Sequence, residues 1–278
     1  MAAFVAVGAA AVYWGPGLLT GGQPSVPTER CTVIEGNISH SLTAEQANNA
    51  ALIAAVGSSE GFDVVGITVA LATAIQESSL RNLDYGDRDS LGLFQQRPSQ
   101  GWGSVEQITD PYYSTETFYA ALLKVSGWED MAVTDAAQAV QKSGFPLAYA
   151  GHEDEARAWA LAFTGGGGLV SCSVVGPAAA APQQFVGRLT ADFGQGVNAV
   201  DVLGQETDAT ILGVRPAADS PQARAALATW AMATASTTGI SWVDGDDART
   251  GADGTITQAE HTQERAAYPG IQVAVATR

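Results

Sequence analysis

Basic side chains are scarce in this chain, and that shortage limits what it can bind. Its 278 residues carry 13 Lys and Arg against 29 Asp and Glu, for a formal net charge of −16. The deficit is spread along the chain, with 7 basic and 18 acidic residues in 1–176 and 6 and 11 in 177–278. Nucleic acid and anionic membrane surfaces are held by Lys and Arg neutralising phosphate, so neither half offers them a face, and nucleic acid is not expected as a partner. Histidine is nearly absent: His40, His152 and His261 lie far apart without HxxxH spacing. With only two cysteines beside them, no ligand set for a metal and no cofactor motif can be assembled, so neither is expected. A 46% hydrophobic fraction is too high for a disordered chain, and 31 Gly with 11 Pro are too few and too unperiodic for a fibrous one.

Residues 2–19 contain no charge, and the first basic residue is Arg30. About 18 apolar residues is the short limit of a bilayer span, so the stretch reads as an uncleaved membrane anchor or a secretory signal. A signal normally opens with positive charge, which is missing here, and a buried core helix is the remaining reading. Cys31 and Cys172 are too far apart for a CxxC redox motif. A disulfide between them would close a loop of about 140 residues, nominally worth ~4–5 kcal/mol through chain entropy. It would also imply an oxidising, extracytoplasmic setting, secreted or membrane-anchored. Two unpaired buried thiols are the other reading.

The length exceeds one ordinary core, which points to a domain of roughly 100–200 residues with a smaller companion. After a Gly/Pro/Ser-rich stretch over 15–27, helical patterns follow one another from about 41 to 163. Thr43 and Gln46 have the spacing of a capping box opening a helix. Residues 67–80 are apolar almost all round, which predicts a buried central helix. Further helices are predicted at 115–125, 134–142 and 153–163, and no strand of convincing length is evident in this half. Residues 176–182 read as a linker. Beyond it the pattern predicts helices at 184–193 and 222–235 and strands at 197–203, 209–214, 239–243 and 271–276. The fold class is therefore α+β: a mainly helical domain over 30–175, then a small α+β sandwich domain over 183–278.

The most informative residue is Glu77, near the end of the apolar helix. Desolvation disfavours a charged carboxyl and raises its pKa, which is the state a general acid needs at neutral pH. The bland reading is a helix end in which Glu77 pairs with Arg81 at i+4. Glu77-Ser78, followed by Gly92-Leu93-Phe94-Gln95, resembles the Glu-Ser and Gly-Leu-Met-Gln signature of the lysozyme-like superfamily. The likeness is to soluble lytic transglycosylases and goose-type muramidases, and over 76–103 also to lysozyme-like domains of actinobacterial cell-wall hydrolases and conjugation-associated proteins. It covers roughly 43–163 and says nothing about 177–278.

The resemblance implies a lysozyme-like domain that cleaves peptidoglycan glycan strands between N-acetylmuramic acid and N-acetylglucosamine, with Glu77 as general acid. Ser78, Gly92, Leu93, Phe94, Gln95 and Gln96 are then expected at the substrate, and the protein at the cell wall or the cell membrane. Phe94 stands where the family has Met, and the downstream Tyr-Asn-Ala-Gly motif is missing. Its nearest counterpart is AQAVQKSGFP, in which Gln138, Gln141 and Ser143 could supply polar contacts; Tyr149 is another candidate for the cleft wall. The goose-type pattern places an assisting carboxylate at Asp89, although Asp84, Asp87 and Asp89 all suit turns. Trp102, with Tyr112 and Tyr113, either stacks on sugar faces or packs under the loop.

The rival expectation is a non-catalytic wall-binding or secretion/conjugation assembly module that keeps the lysozyme-like site, its C-terminal domain meeting a protein partner. Two patterns are set aside. Gly57-Ser58-Ser59-Glu60-Gly61 matches GxSxG but follows a helix, not a strand. The acidic run from Asp244 fails the EF-hand pattern and reads as a solvated loop.

Overall fold

The computed structural model describes residues 29–174, 180–246, 248–258 and 268–277. The apolar stretch 2–19, most of the expected linker and His261 lie outside them. Strands β1 (Arg30–Glu35) and β2 (Ile38–Thr43) form an antiparallel hairpin around Gly36 and Asn37, with Gly36 at φ 60°. Thr43 caps α1 (Ala44–Ser59) in a full capping box with Gln46. Asp63 caps α2 (Val64–Ser78) through the amides of Val65 and Gly66. Then follow α3 (Val105–Thr109), α4 (Pro111–Leu122), α5 (Val133–Gln141) and α6 (Glu153–Phe163). The predicted central helix is α2, which packs against α1, α5 and α6.

Strand β3 (Leu169–Ser173) returns to pair with β1, giving the sheet order β2-β1-β3. Cys31 lies directly opposite Cys172 in that pairing, and the two form a disulfide with Cα atoms 4.0 Å apart. This sheet corrects the expectation of a strandless first half. Its strands are only five or six residues long, and the third comes from more than a hundred residues downstream, where local periodicity carries no information about pairing.

The rest of the chain forms α7 (Pro182–Phe193), β4 (Val197–Glu206), β5 (Ala209–Pro216), α8 (Pro221–Ala233), α9 (Ala235–Thr238), β6 (Ile240–Asp244), β7 (Ala248–Gly251), β8 (Ile256–Gln258) and β9 (Ile271–Ala276). The strands make one antiparallel sheet in the order β4-β5-β9-β6-β7-β8. Strands β7 and β8 correct the reading of the acidic run as a solvated loop: Asp244 is buried and Arg249 reaches it at 3.2 Å while lying over the Trp242 ring. The fold is α+β, as expected.

Helix α8 touches α1 and α6 of the first half and β5, β6 and β9 of the second. One buried apolar cluster consequently runs from Val33 and Leu71 through Trp230 to Val273. Gly165, at φ +70° just past α6, permits this approach, because a Cβ there would collide with the Gln222 backbone at the start of α8.

At the junction sits Asp192, its side chain fully buried. Arg188 Nε donates to both carboxylate oxygens at 2.8 Å, Tyr112 of α4 donates its hydroxyl to Oδ1 at 2.6 Å, and Trp230 Nε1 of α8 donates to Oδ2 at 2.6 Å. Arg188 also reaches Asn48 of α1 at 3.0 Å. A buried carboxylate is tolerable only when it is paired and fully hydrogen-bonded, and this one ties α4, α7 and α8 together.

Two stability predictions follow from the junction and the bridge. Asp192→Ala leaves Arg188, Tyr112 and Trp230 without their shared acceptor and should lower unfolding free energy by about 3–5 kcal/mol in urea titrations. Replacing Cys31 and Cys172 by Ala should cost about 2–4 kcal/mol by the same measurement, and adding reductant to the wild type should reproduce the loss.

Candidate functional site

Glu77 is the penultimate residue of α2, in which ten of the fifteen residues are buried. Ser79 and Leu80 end the helix in left-handed conformations, at φ 53° and 57°. That conformation costs a non-glycine residue about 1–3 kcal/mol and persists only where the surroundings hold it. Here Leu80 N–H donates to the Ala74 carbonyl at 3.0 Å, and α1 reaches across: Gln46 donates to the Ser79 carbonyl at 2.9 Å and Asn49 to the Leu80 carbonyl at 2.8 Å. The exit of α2 is thereby fixed in direction.

The Gly92–Gln95 segment is stitched beside this exit from two sides. Ser78 donates its hydroxyl to the Leu93 carbonyl at 2.7 Å, and Gln141, the last residue of α5, donates to the Phe94 carbonyl at 2.8 Å. Gly92 has φ +75°, and a Cβ on it would strike the Ile108 carbonyl, so both conformation and space require glycine.

The Glu77 carboxyl is partly buried. Tyr149, itself fully buried, donates its hydroxyl to Glu77 Oε1 at 2.7 Å. Burial pushes the Glu77 pKa above the ordinary carboxylate value, while hydrogen bonds from Tyr149 and Gln141 oppose the rise without cancelling it. Burial and the bond to Glu77 push the Tyr149 pKa up as well, so the phenol stays a donor. Among the described residues no ion pair forms at Glu77. Arg81, the partner in the bland reading, faces Glu45 at 3.9 Å instead.

Other expected residues take different positions. Leu93 and Phe94 are completely buried, Phe94 stacking on Phe118 with ring centroids 4.5 Å apart. Their side chains cannot meet a substrate; only their carbonyls lie beside Glu77's helix. Gln96 is buried and donates to the Ser114 carbonyl at 2.9 Å, which corrects its expected role at the substrate. Gln95, at φ 47°, is partly exposed, and its amide donates to the carbonyls of Tyr85 and Gly92, both at 3.3 Å.

Asp89 accepts from Ser99 N–H at 2.8 Å, Ser99 hydroxyl at 3.0 Å and Arg97 Nε at 2.9 Å. Those bonds hold its carboxyl well below the usual range, so it is an ionised loop anchor. Trp102 packs partly buried against the core, and Tyr113 donates to its carbonyl at 3.2 Å. Tyr112 is held by Asp192 at the junction, so neither tyrosine is free to stack.

The sequence reading passed over Tyr85 and Phe145. The two residues are 63% and 79% exposed, and no other aromatic among the described residues stands so far out into solvent. Tyr85 is joined to the site through Gln95, and Phe145 through Ser143. The described residues also contain no converging group of three His, Cys, Asp or Glu side chains. A half-buried carboxyl that keeps its proton to elevated pH, steadied by a phenol and an amide, is equipped to donate that proton to a bound oxygen.

Because the folded pKa of Glu77 lies above its unfolded value, the folded state holds a proton that the unfolded chain releases between the two. Glu77 therefore favours folding at low pH, and that contribution is lost as pH rises through the raised value. Glu77→Gln should raise the Tm at pH 7 and change it little at pH 4, as calorimetry at the two pH values would record.

No protein-family model matches this chain, and no curated protein matches it significantly. The geometry of Glu77 and its partners thus carries the functional reading.

Proposed function

We propose that this chain is an extracytoplasmic peptidoglycan-cleaving enzyme of the lysozyme-like superfamily, acting on the bond between N-acetylmuramic acid and N-acetylglucosamine. One observation carries the reading: the Glu77 carboxyl, raised in pKa by burial, beside the buried hydroxyl of Tyr149 at the end of an apolar helix. Glu77 protonates the bridging glycosidic oxygen, the bond from that oxygen to the anomeric carbon breaks, and the sugar is left as an oxocarbenium-like species. Tyr149 and Gln141, both hydrogen-bonded at Glu77, keep the carboxyl oriented as it cycles between acid and carboxylate.

The engagement of Asp89 by Arg97 and Ser99 favours one outcome for the second half of the reaction. With no carboxylate of its own assigned to deliver water, the sugar's 6-hydroxyl attacks the anomeric carbon and gives its proton to Glu77, now the base. The product is then a 1,6-anhydro sugar, as from a lytic transglycosylase. The Cys31–Cys172 disulfide supports an oxidising setting outside the cytoplasm. No helix among the described residues is long and apolar enough to cross a membrane, so anchoring would fall to residues 2–19.

Purified protein should release fragments from dye-labelled peptidoglycan, and Glu77→Gln should lower the rate by at least about 100-fold with folding intact. Release should decline as pH rises through the raised Glu77 value. Mass spectrometry of the fragments should find them one water lighter than reducing-end products. Wild-type binding without turnover at every pH would replace this reading with the non-catalytic wall-binding one.

A further inference from the structure

We infer that Tyr85 and Phe145 are two stacking platforms that grip the apolar faces of an N-acetylated glycan strand at the Glu77 site. The inference rests on the glycan reading of that site but not on its catalytic competence. Among the described residues these two are the aromatics that stand out into solvent, 63% and 79% exposed. Both belong to loops wired to the same carboxyl, by different routes. Tyr85 is reached from Gln95 Nε2 at 3.3 Å, next along the chain from Phe94, whose carbonyl takes the Gln141 amide. Phe145 N–H donates to Ser143 Oγ at 3.1 Å, and Ser143 bonds in turn to the Tyr149 hydroxyl that holds Glu77.

Neither loop is left loose. The backbone around Phe145 is pinned by Gln138 to the Ser143 carbonyl at 2.9 Å and by Thr134 to the Pro146 carbonyl at 2.9 Å. At Tyr85, a Cβ on the next residue, Gly86, would collide with Gln95 Oε1 and the Ser90 carbonyl, so that turn sits tightly on the Gln95 side chain. Rings presented to water on fixed backbones bring large contact area and lose little freedom on binding. Pyranose rings offer the matching surface, with apolar C–H faces and polar edges. An anionic bilayer is a poor occupant for a chain of net charge −16.

The test measures binding apart from cleavage. Glu77→Gln protein is titrated calorimetrically with N-acetylglucosamine tetramer and hexamer, alone and combined with Tyr85→Ala, Phe145→Ala or Phe145→Trp. Each alanine should weaken hexamer binding about 3- to 10-fold, Phe145→Trp should retain it, and all variants should keep the parent Tm because both rings are exposed. The hexamer should bind more tightly than the tetramer in the parent, and each alanine should shrink that advantage. Hexamer affinity unchanged by both alanines, or no measurable binding by the parent, overturns the inference. If the alanines weaken binding while wild-type protein releases no wall fragments, the platforms stand and the catalytic reading of Glu77 falls.

Discussion

The constraint on which the rest depends is the burial of α2. A helix buried from Gly66 to Ala74 among α1, α5 and α6 emerges only at its ends, so a carboxyl one residue from its last position is partly desolvated. The protein then has to turn sharply there without wasting the polar groups the helix exposes. It does so with two consecutive left-handed residues, tolerated because α1 supplies amide donors to their carbonyls. Ser78 uses the same turn to capture the Leu93 carbonyl. The Glu-Ser pair is thus divided in labour: the serine fixes the neighbouring segment, and the glutamate is left with Tyr149 and Gln141 as partners.

A second constraint governs how the C-terminal layer is attached. Helix α8 shares its apolar surface between the helices of the first half and the six-stranded sheet, and apolar contact alone does not specify orientation. Asp192 provides direction, since its partners on three helices must point at one carboxylate to keep it solvated by the protein. The arrangement is local in space and remote in sequence, drawing on residues 112, 188, 192 and 230.

That distinction explains what could be read from the sequence. The longer helices were legible because capping and apolar periodicity act within a few residues: Thr43 with Gln46 announces α1, and the unbroken apolar run announces α2. Glu77 was legible for the same reason, as an acid inside such a run. Strands β1 and β2 were not, because each is only six residues long, and β3 was not, because its partner lies more than a hundred residues away. Side-chain direction in the Gly92–Gln96 turn was equally hidden. Gln95 and Gln96 are chemically identical neighbours, yet the first lies at the surface over Tyr85 and the second is buried under α4. Nothing in composition separates Phe94, stacked in the core, from Phe145, held out to solvent. The Asp192 cluster left only the i,i+4 spacing of Arg188 and Asp192 as a local trace, and Tyr112, which suggested sugar stacking, belongs to it.

Helix α1 links the two constraints. Within its first two turns, Gln46 and Asn49 hold the exit of α2, whereas Asn48 accepts from Arg188 of α7 and from the Thr237 hydroxyl of α9. Successive residues on a helix face different directions, about 100° apart, so one polar turn can face both layers at once. Among the described residues the catalytic candidate and the C-terminal layer have no hydrogen-bonding side chain in common, but they share a rigid support. A displacement of α7 large enough to break the Arg188–Asn48 bond would act on the same turn that keeps Ser79 and Leu80 in their strained conformations. The orientation of Glu77 is therefore a property of the whole assembly, because the helix that fixes its exit is itself fixed from the far side.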